Sequence, residues 1–146
     1  MEIKPPFVTT PVETVKQLIQ LLKDHKNNKI VDLGSGDGRI VVEIAKKGFS
    51  VDGFETKPEL VKRSRERIAE LKLEQIAHIL EKDYWDENLS SYSVVYIYGI
   101  PQIMGRLERK LENELVSGSL VISNVYRLPQ WKIKKQIDSL YIYIIP

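Results

Sequence analysis

A five-residue segment with three glycines follows a short apolar run near the start of the chain and constrains the fold more than any other feature. The run covers residues 29–33 and leads directly into Gly34-Ser35-Gly36-Asp37-Gly38. Apolar residues then recur at helical spacing from Ile40 onward. Glycines let the backbone turn tightly and approach a ligand closely. A strand, a glycine-rich turn and a helix in this order are typical of the first βαβ unit of an open parallel sheet.

Strand-like and helix-like segments alternate along the rest of the chain. Strands are predicted at residues 29–33, 50–55, 76–81, 93–98 and 119–126, and helices from 11 to about 27, from 40 to a C-cap at 48, from 58 to about 71 and over 101–115. The first helix is predicted to have Thr10 as its cap, Pro11 at its first position and Glu13 as a capping-box partner. This alternation predicts an α/β fold of the Rossmann-like kind, with a mostly parallel sheet and helices on both faces.

The last segment, residues 131–146, alternates polar and apolar side chains and predicts one or two edge strands, such as an antiparallel hairpin that completes a seven-stranded sheet. The chain ends directly after it, which leaves open a truncation of these strands. A length of 146 residues predicts one domain, with 1–28 as an N-terminal arm and helix.

Composition excludes several classes of site. The chain has no cysteine and two histidines, so we expect no disulfide, no cysteine nucleophile and no metal centre. A net charge of +2 does not indicate a dedicated nucleic-acid binder. No apolar stretch reaches the roughly 18 residues of a membrane span. We therefore expect a cytoplasmic monomer without stable nucleic-acid or membrane partners.

The residues around the glycines distinguish between possible nucleotide ligands. A dinucleotide fingerprint needs its third glycine where this chain has Arg39, and a phosphate-binding loop needs Gly-Lys-Ser/Thr, which is absent. The carboxylates of Asp32 and Asp37 would repel a pyrophosphate. S-adenosylmethionine carries an amino group and a sulfonium but no phosphate, so these acidic residues favour it as the cofactor.

Two later positions fit the same type of site. Glu55 ends the second predicted strand 21 residues after Gly34 (55 − 34), close to the spacing at which an acidic residue binds ribose hydroxyls. The alternative is a strand-end glutamate that is simply solvated. Asp83 follows the third strand and could accept from the adenine amino group. Tyr84 and Trp85 could cover the ring, or they could be packing residues.

Four motifs carry a family resemblance over about residues 5–131. Val31 to Val41 resembles class I methyltransferases in general. More specific matches are Pro6-Phe7-Val8-Thr9-Thr10-Pro11, Tyr98-Gly99-Ile100-Pro101-Gln102-Ile103-Met104 and Leu128-Pro129-Gln130-Trp131. Together they resemble the small archaeal broad-specificity protein-lysine methyltransferases and their mitochondrial relatives, which modify the C-subunit of ATP synthase and the adenine nucleotide translocase. The mitochondrial relatives carry a hydrophobic N-terminal anchor that this sequence lacks, so their membrane substrates are not expected here.

The resemblance implies a role for each matching residue. Gly34, Ser35 and Gly36 would line the methionine part of the cofactor, Glu55 the ribose, and Asp83 with Tyr84 the adenine. Phe7, Thr9 and Thr10 would close over the cofactor, and Tyr98, Gly99 and Pro101 would form the lip where the acceptor amine meets the methyl group. The predicted catalytic residues are thus Tyr98, Pro101 and Phe7, and the predicted cofactor-binding residues are Thr9, Thr10, Asp32, Gly34, Ser35, Gly36, Asp37, Glu55, Asp83, Tyr84 and Tyr98.

The implied activity is methyl transfer to exposed lysine amines of proteins, with broad specificity. An aromatic channel beside a sulfonium lowers the pKa of the amine, so no dedicated base is required. Tyr98 is the first candidate for the channel wall, with Phe7 and Tyr126 behind it, although both tyrosines could equally be ordinary strand residues. The alternatives are an RNA or small-molecule methyltransferase and a non-catalytic S-adenosylmethionine-binding partner subunit. The basic run 62–67 contains an interspersed Glu66 and is typical of a solvated helix face.

Overall fold

The computed structural model describes residues 10–146, which form a seven-stranded sheet with helices on both faces. The helices are α1 (Val12–Leu22), α2 (Arg39–Lys46), α3 (Pro58–Glu70) and α4 (Pro101–Glu114). The strands are β1 (Ile30–Leu33), β2 (Val51–Glu55), β3 (Ala77–Glu81), β4 (Val94–Ile97), β5 (Leu120–Asn124), β6 (Lys135–Ile137) and β7 (Leu140–Ile144). A short 3-10 helix, Tyr84–Asp86, follows β3.

The strand order is β3-β2-β1-β4-β5-β7-β6. The first five strands in this order are parallel, and β7 pairs antiparallel with both β5 and β6. This order confirms the predicted Rossmann-like class and the predicted C-terminal hairpin. The last strand of the chain, β7, lies inside the sheet, and β6 lies at its edge. Because β1 lies between β2 and β4, the chain reverses direction across the sheet there. A ligand crevice is expected outside the carboxyl ends of strands at such a switch point.

Two apolar clusters cover the two faces of the sheet. Leu18 and Leu22 of α1 and Ile44 of α2 are buried on one face, together with side chains of α3. Leu107 and Leu111 of α4 are buried on the other face. These positions carry the helical spacing that predicted each helix, and burial of their side chains is the main stabilising contribution to such a layered fold.

The first helix begins differently from the prediction. Pro11 has ψ 149° and is the residue before the first helical turn, and no side chain of the described residues caps the start of this helix. The prediction of Thr10 as the cap, with Pro11 inside the helix and Glu13 in a capping box, is therefore wrong. The carbonyl of Pro11 accepts from the N–H of Val15, so the helix starts one residue later than its polar residues suggest.

Two elements also end earlier in the chain than predicted. The first helix ends at Leu22, and the fifth strand ends at Asn124 because Val125, with a φ of +73°, turns the chain. Gly48 has a φ of +90° just after α2, as expected for a glycine that ends a helix. Within residues 10–146, no helix combines the length and hydropathy that crossing a membrane requires.

Candidate active site

The glycine loop joins β1 to α2 at the carboxyl edge of the sheet. Gly34, Gly36 and Gly38 have φ values of +82°, +58° and +80°, a region that other residues rarely adopt. A Cβ at Gly34 would meet no atom of residues 10–146 within 4 Å, so open space lies beside the loop in this part of the chain. A Cβ at Gly38 would lie 2.5 Å from the Cβ of Ser64, so this glycine lets α3 approach the start of α2. The loop therefore combines an open side with a tightly packed side.

Ser35 belongs to the packed side of this loop. Its N–H donates to the carbonyl of Phe54 at 2.8 Å, as does that of Gly34 at 2.9 Å. Its side chain occupies the space that a Cβ of Gly53 would need, with the Ser35 Oγ 2.7 Å from that position. The buried hydroxyl has no hydrogen-bond partner among residues 10–146. Only the Ser35 backbone is therefore in position to line the open side of the loop.

Glu55 lies at the end of β2 and is 9% exposed, so it is not a solvated strand end. One carboxylate oxygen accepts from the N–H of Gly36 at 2.9 Å. The other accepts from the N–H groups of Thr56 and Lys57, both at 2.9 Å. A carboxylate has about four acceptor positions, so one remains for a ligand. Glu55 holds the glycine loop and also brings negative charge to the crevice.

Asp32 lies on β1, two residues before the glycine loop, and is buried. Burial, and then the negative charge of Glu55, raise the pKa of its carboxyl from 3.8 to about 8. A carboxyl in this environment gains a strong partner when a cationic group binds beside it, because the opposite charge favours its ionised form. The amino group of S-adenosylmethionine is such a cation.

Asp37 makes contacts that stabilise the protein itself. One carboxylate oxygen accepts from the N–H of Arg39 at the start of α2, at 3.2 Å. The other lies 3.6 Å from the guanidinium of Arg67 on α3. Its predicted role in cofactor binding therefore competes with a role in joining the first turn of α2 to α3.

Asp83, Tyr84 and Trp85 lie beyond the end of β3, at the same edge of the sheet. The Asp83 carboxylate accepts from the N–H of Trp85 at 3.0 Å and so caps the 3-10 helix. The rings of Tyr84 and Trp85 lie 4.8 Å apart between centroids. Burial, and then the Asp83 charge, raise the pKa of the Tyr84 hydroxyl, which keeps it protonated. The three residues form a partly buried, mainly aromatic wall.

Sequence reasoning missed two residues that hold this wall, both on α4. The guanidinium of Arg106 stacks on the Trp85 ring, 3.9 Å from its centroid. The ammonium of Lys110 donates to the carbonyl of Glu87 at 2.6 Å and pairs with Glu114 at 2.8 Å. Arg106 and Lys110 are four residues apart and therefore share one face of the helix. The four-residue spacing predicts from the sequence that Arg106 and Lys110 share a helix face, but it does not predict which residues they contact.

The predicted acceptor lip lies between β4 and α4. Tyr98 follows β4 and is half-buried, and its ring lies 6.5 Å from that of Tyr126, edge to face. A Cβ at Gly99 would lie 2.9 Å from the Sδ of Met104, so the Met104 side chain packs closely against the turn into α4. Pro101 is the exposed first residue of α4. The structure thus brings Tyr98 into edge-to-face contact with Tyr126, the residue predicted to lie behind it in the channel wall.

Two residues that the sequence did not predict as part of the site, Glu108 and Tyr143, bind the backbone of the segment after β5. Glu108 on α4 is buried, and one of its oxygens accepts from the N–H groups of Gln130 and Trp131, both at 2.9 Å. The hydroxyl of Tyr143 accepts from the N–H of Leu128 at 3.0 Å. A glutamate within the apolar stripe of a helix was the available signal, because a buried carboxylate needs partners.

Thr10 approaches the same region from the N-terminal side. It is buried, and its carbonyl accepts from the guanidinium of Arg39. Its side chain lies near the hydroxyl of Tyr96, whose pKa is raised, above all by burial and then by the charge of Asp32. The predictions for Phe7 and Thr9 fall outside the described residues.

These features fit S-adenosylmethionine, and they fit a phosphate-bearing nucleotide poorly. Acidic residues lie at or near the ends of the first three strands, with open space beside Gly34 and an aromatic wall beyond β3. Together with the strand order, they define a class I S-adenosylmethionine-dependent methyltransferase domain. Residues 32–135 match the family model described as the ANTKMT methyltransferase domain. The chain belongs to this family.

Named relatives agree with the assignment to this family. The chain is 40% identical to the ATP synthase C-subunit lysine N-methyltransferase of Mus musculus over 94% of its own length and 57% of that protein. The Homo sapiens protein of the same name is also 40% identical, over 94% of this chain and 60% of that protein. The chain thus spans about three-fifths of the length of these mammalian relatives. A protein-lysine N-methyltransferase of Saccharolobus islandicus is 28% identical over 96% of this chain and 93% of that protein.

Solved structures give a similar result for the fold. A crystal structure described as an RNA methyltransferase from Salinibacter ruber with S-adenosyl-L-homocysteine has a TM-score of 0.90 and 29% identity, covering 95% of this chain and 94% of that one. An O-methyltransferase from Bacillus cereus, with a TM-score of 0.71 and 17% identity over 84% of this chain and 60% of that one, shares the fold. The class I fold is therefore confirmed.

Proposed function

We propose that this chain is a protein-lysine N-methyltransferase that uses S-adenosylmethionine and accepts exposed lysines of several proteins. The observation that carries the proposal is the pair formed by Tyr98 and Tyr126, whose ring centroids are 6.5 Å apart at the carboxyl edge of β4 and β5. The two packed rings form an aromatic wall, along which the apolar alkyl chain of a lysine can lie. The 40% identity to lysine methyltransferases supports the same acceptor.

The residues of the crevice divide the binding of the cofactor between them. Asp32 would face the amino group, and Glu55 would accept from the ribose with its remaining acceptor position. Asp83 and Tyr84 would hold the adenine, with Trp85 behind them. Pro101 and Tyr98 would border the methyl group, and Phe7, Thr9 and Thr10 would close the N-terminal side.

The chemistry required of the protein is mainly positioning. When bound, S-adenosylmethionine would supply a methyl group on a sulfonium, so that an amine lone pair could form the N–C bond while the C–S bond breaks and its electrons stay on sulfur. The amine must lose its proton before attack, and its reference pKa is near 10.4. Aromatic walls around the amine disfavour its charged form by desolvation, so the proton passes to water. The walls formed by Tyr98 and Tyr126 also hold the nitrogen in line with the methyl carbon.

An RNA methyltransferase is the second candidate, favoured by the likeness to the Salinibacter ruber protein. Two observations speak against it. The stretch after β4 is Tyr98-Gly99-Ile100-Pro101, which offers no side-chain amide or carboxylate to hold a base amino group. Two of the four basic residues in the run 62–67 are engaged within the protein, since Arg65 donates to the carbonyl of Ile79 at 2.7 Å and Arg67 pairs with Asp37 at 3.6 Å. A patch for phosphates would have these cations free.

One experiment separates these candidates from a non-catalytic cofactor-binding subunit. The purified protein is incubated with labelled S-adenosylmethionine and a cell lysate, which is then divided into protein and RNA. We expect label on protein lysines, identified by mass spectrometry, and its loss with Tyr98→Ala. Label in RNA alone would contradict the lysine assignment, whereas cofactor binding without any transfer would favour the non-catalytic subunit.

Three further properties belong to the same proposal. We infer one domain for residues 1–146, because a single continuous sheet includes every strand of the described residues. We infer a monomer that acts in the cytoplasm, since the chain contains no cysteine and the crevice can be built from one copy. We also infer that the protein has no stable nucleic-acid or membrane partner.

A further inference from the structure

A strained turn lies directly after β5. Val125 has a φ of +73°, and the N–H of Tyr126 donates to the carbonyl of Asn124 at 3.0 Å. A hydrogen bond between residues two apart, around a central residue with positive φ, defines the rare and strained form of the γ-turn. A β-branched residue in this conformation is a genuine outlier. Val125 is 40% exposed, so deep burial of its side chain does not compensate for the strain.

The surrounding structure holds this turn from both sides. Ser139, in the loop between β6 and β7, accepts from the N–H of Val125 at 2.8 Å through its carbonyl. Its hydroxyl donates to the Asn124 side chain at 2.8 Å. The hydroxyl of Ser123 donates to the carbonyl of Tyr126. Strained backbone persists where several contacts determine it together, and such sites concentrate where function depends on geometry.

The same contacts extend toward the cofactor crevice. The Asn124 amide donates to the hydroxyl of Tyr96 at 3.0 Å, and Tyr96 is the register partner of Asp32 on the neighbouring strand. The turn is therefore joined on one side to the C-terminal hairpin and on the other to β4, the strand next to the one that carries the buried carboxyl of Asp32.

The turn determines where the next side chain points. An extended conformation at residue 125 would continue β5 and carry Tyr126 along the strand, away from its observed position. In the observed conformation the Tyr126 ring lies edge to face with Tyr98, 6.5 Å between centroids. We propose that Val125 is a positioning residue, whose strained γ-turn, held by Ser139, sets the Tyr126 ring against that of Tyr98 at the acceptor lip. The identification of this lip as the acceptor's rests on the proposed function.

Two substitutions separate this role from a purely structural one. Val125→Gly removes the strain but lets residue 125 adopt many other conformations. We expect an unchanged or higher Tm, an unchanged dissociation constant for S-adenosylhomocysteine, and a kcat lower by roughly ten- to a hundredfold. Val125→Asn is the matched control, because asparagine retains a Cβ and tolerates positive φ. It should keep kcat within about threefold of the wild-type value.

A second measurement does not depend on the acceptor. The NMR cross-peak between the rings of Tyr98 and Tyr126 should persist in Val125→Asn and weaken in Val125→Gly. The proposal is overturned if Val125→Gly keeps both the cross-peak and the wild-type kcat, or if Tm and kcat fall together in both variants. A wild-type protein that labels RNA and not lysine would contradict the proposed function alone, since the ring cross-peak still tests the role of Val125.

Discussion

The carboxylate of Glu55 accepts a hydrogen bond from the backbone N–H of Gly36 at 2.9 Å, which ties the end of β2 to the centre of the glycine loop. The same carboxylate accepts from the N–H groups of Thr56 and Lys57. A residue expected to bind only the cofactor therefore also determines the shape of the loop beside it. A substitution at Glu55 acts on cofactor affinity and on local structure together.

Glu55→Ala should weaken binding of S-adenosylhomocysteine by about 1.5–3 kcal/mol, because it removes acceptors of hydrogen bonds in a buried site. Isothermal titration calorimetry measures this change. Glu81→Ala is the matched control, since Glu81 is the register partner of Glu55 at the end of β3 but is exposed. Unchanged affinity in a folded Glu55→Ala protein would remove Glu55 from the cofactor site.

The acidic crevice should discriminate between nucleotides by charge. S-adenosylmethionine at 100 times its dissociation constant should stabilise the fold by about 2.7 kcal/mol, and NAD should not stabilise it. Differential scanning fluorimetry with each ligand tests this expectation. A thermal shift with NAD, and none with S-adenosylmethionine or S-adenosylhomocysteine, would refute the cofactor assignment.

Asp32 should make the stability of the cofactor-free protein depend on pH. Its folded-state pKa, raised to about 8 from 3.8, means that the native state binds more protons than the unfolded state between these values. The contribution of Asp32 to the free energy of unfolding should therefore be largest below about pH 4 and fall as pH rises through about 8.

Urea unfolding of the wild type and of Asp32→Asn across pH 5–9 measures that contribution as a difference. Asparagine has nearly the same shape but does not ionise, so the stability of the variant relative to the wild type should increase with pH. A difference that is constant with pH, or one that decreases, would mean that the Asp32 carboxyl is already ionised in the folded protein at pH 5.

Tyr98 should act as a wall and not as a proton carrier. Tyr98→Phe should retain substantial turnover because the ring remains, whereas Tyr98→Ala should lose far more because water enters and the amine moves out of line. Methyl transfer to a lysine-rich protein, measured from pH 6 to 10, should rise with pH for the wild type and for Tyr98→Phe. A bell-shaped profile centred near neutral pH, with an inactive Tyr98→Phe, would instead identify Tyr98 as a proton donor or acceptor.

The local pattern of apolar and polar side chains was sufficient to predict the order and type of the secondary-structure elements. Each of the first five strands, and each of the four helices, lies within about five residues of its predicted bounds. This agreement arises because side-chain periodicity records which face of an element is buried. The glycine loop was predictable for a similar reason, since positive φ at Gly34, Gly36 and Gly38 is a local backbone requirement that the residue type itself reveals.

Only the tertiary structure decided which distant residues complete the site. Arg106 stacks on Trp85, and Glu108 accepts from Gln130 and Trp131, although 21 or more residues separate the partners in each contact (106 − 85 = 21). Val125 adopts a conformation that its β-branched side chain disfavours, because Ser139 of the C-terminal hairpin supplies the hydrogen bond that holds it. Periodicity and residue type in the sequence therefore determined the class I fold and the glycine loop. Packing across the sheet, which joins segments far apart in the chain, decided how the proposed acceptor lip is held.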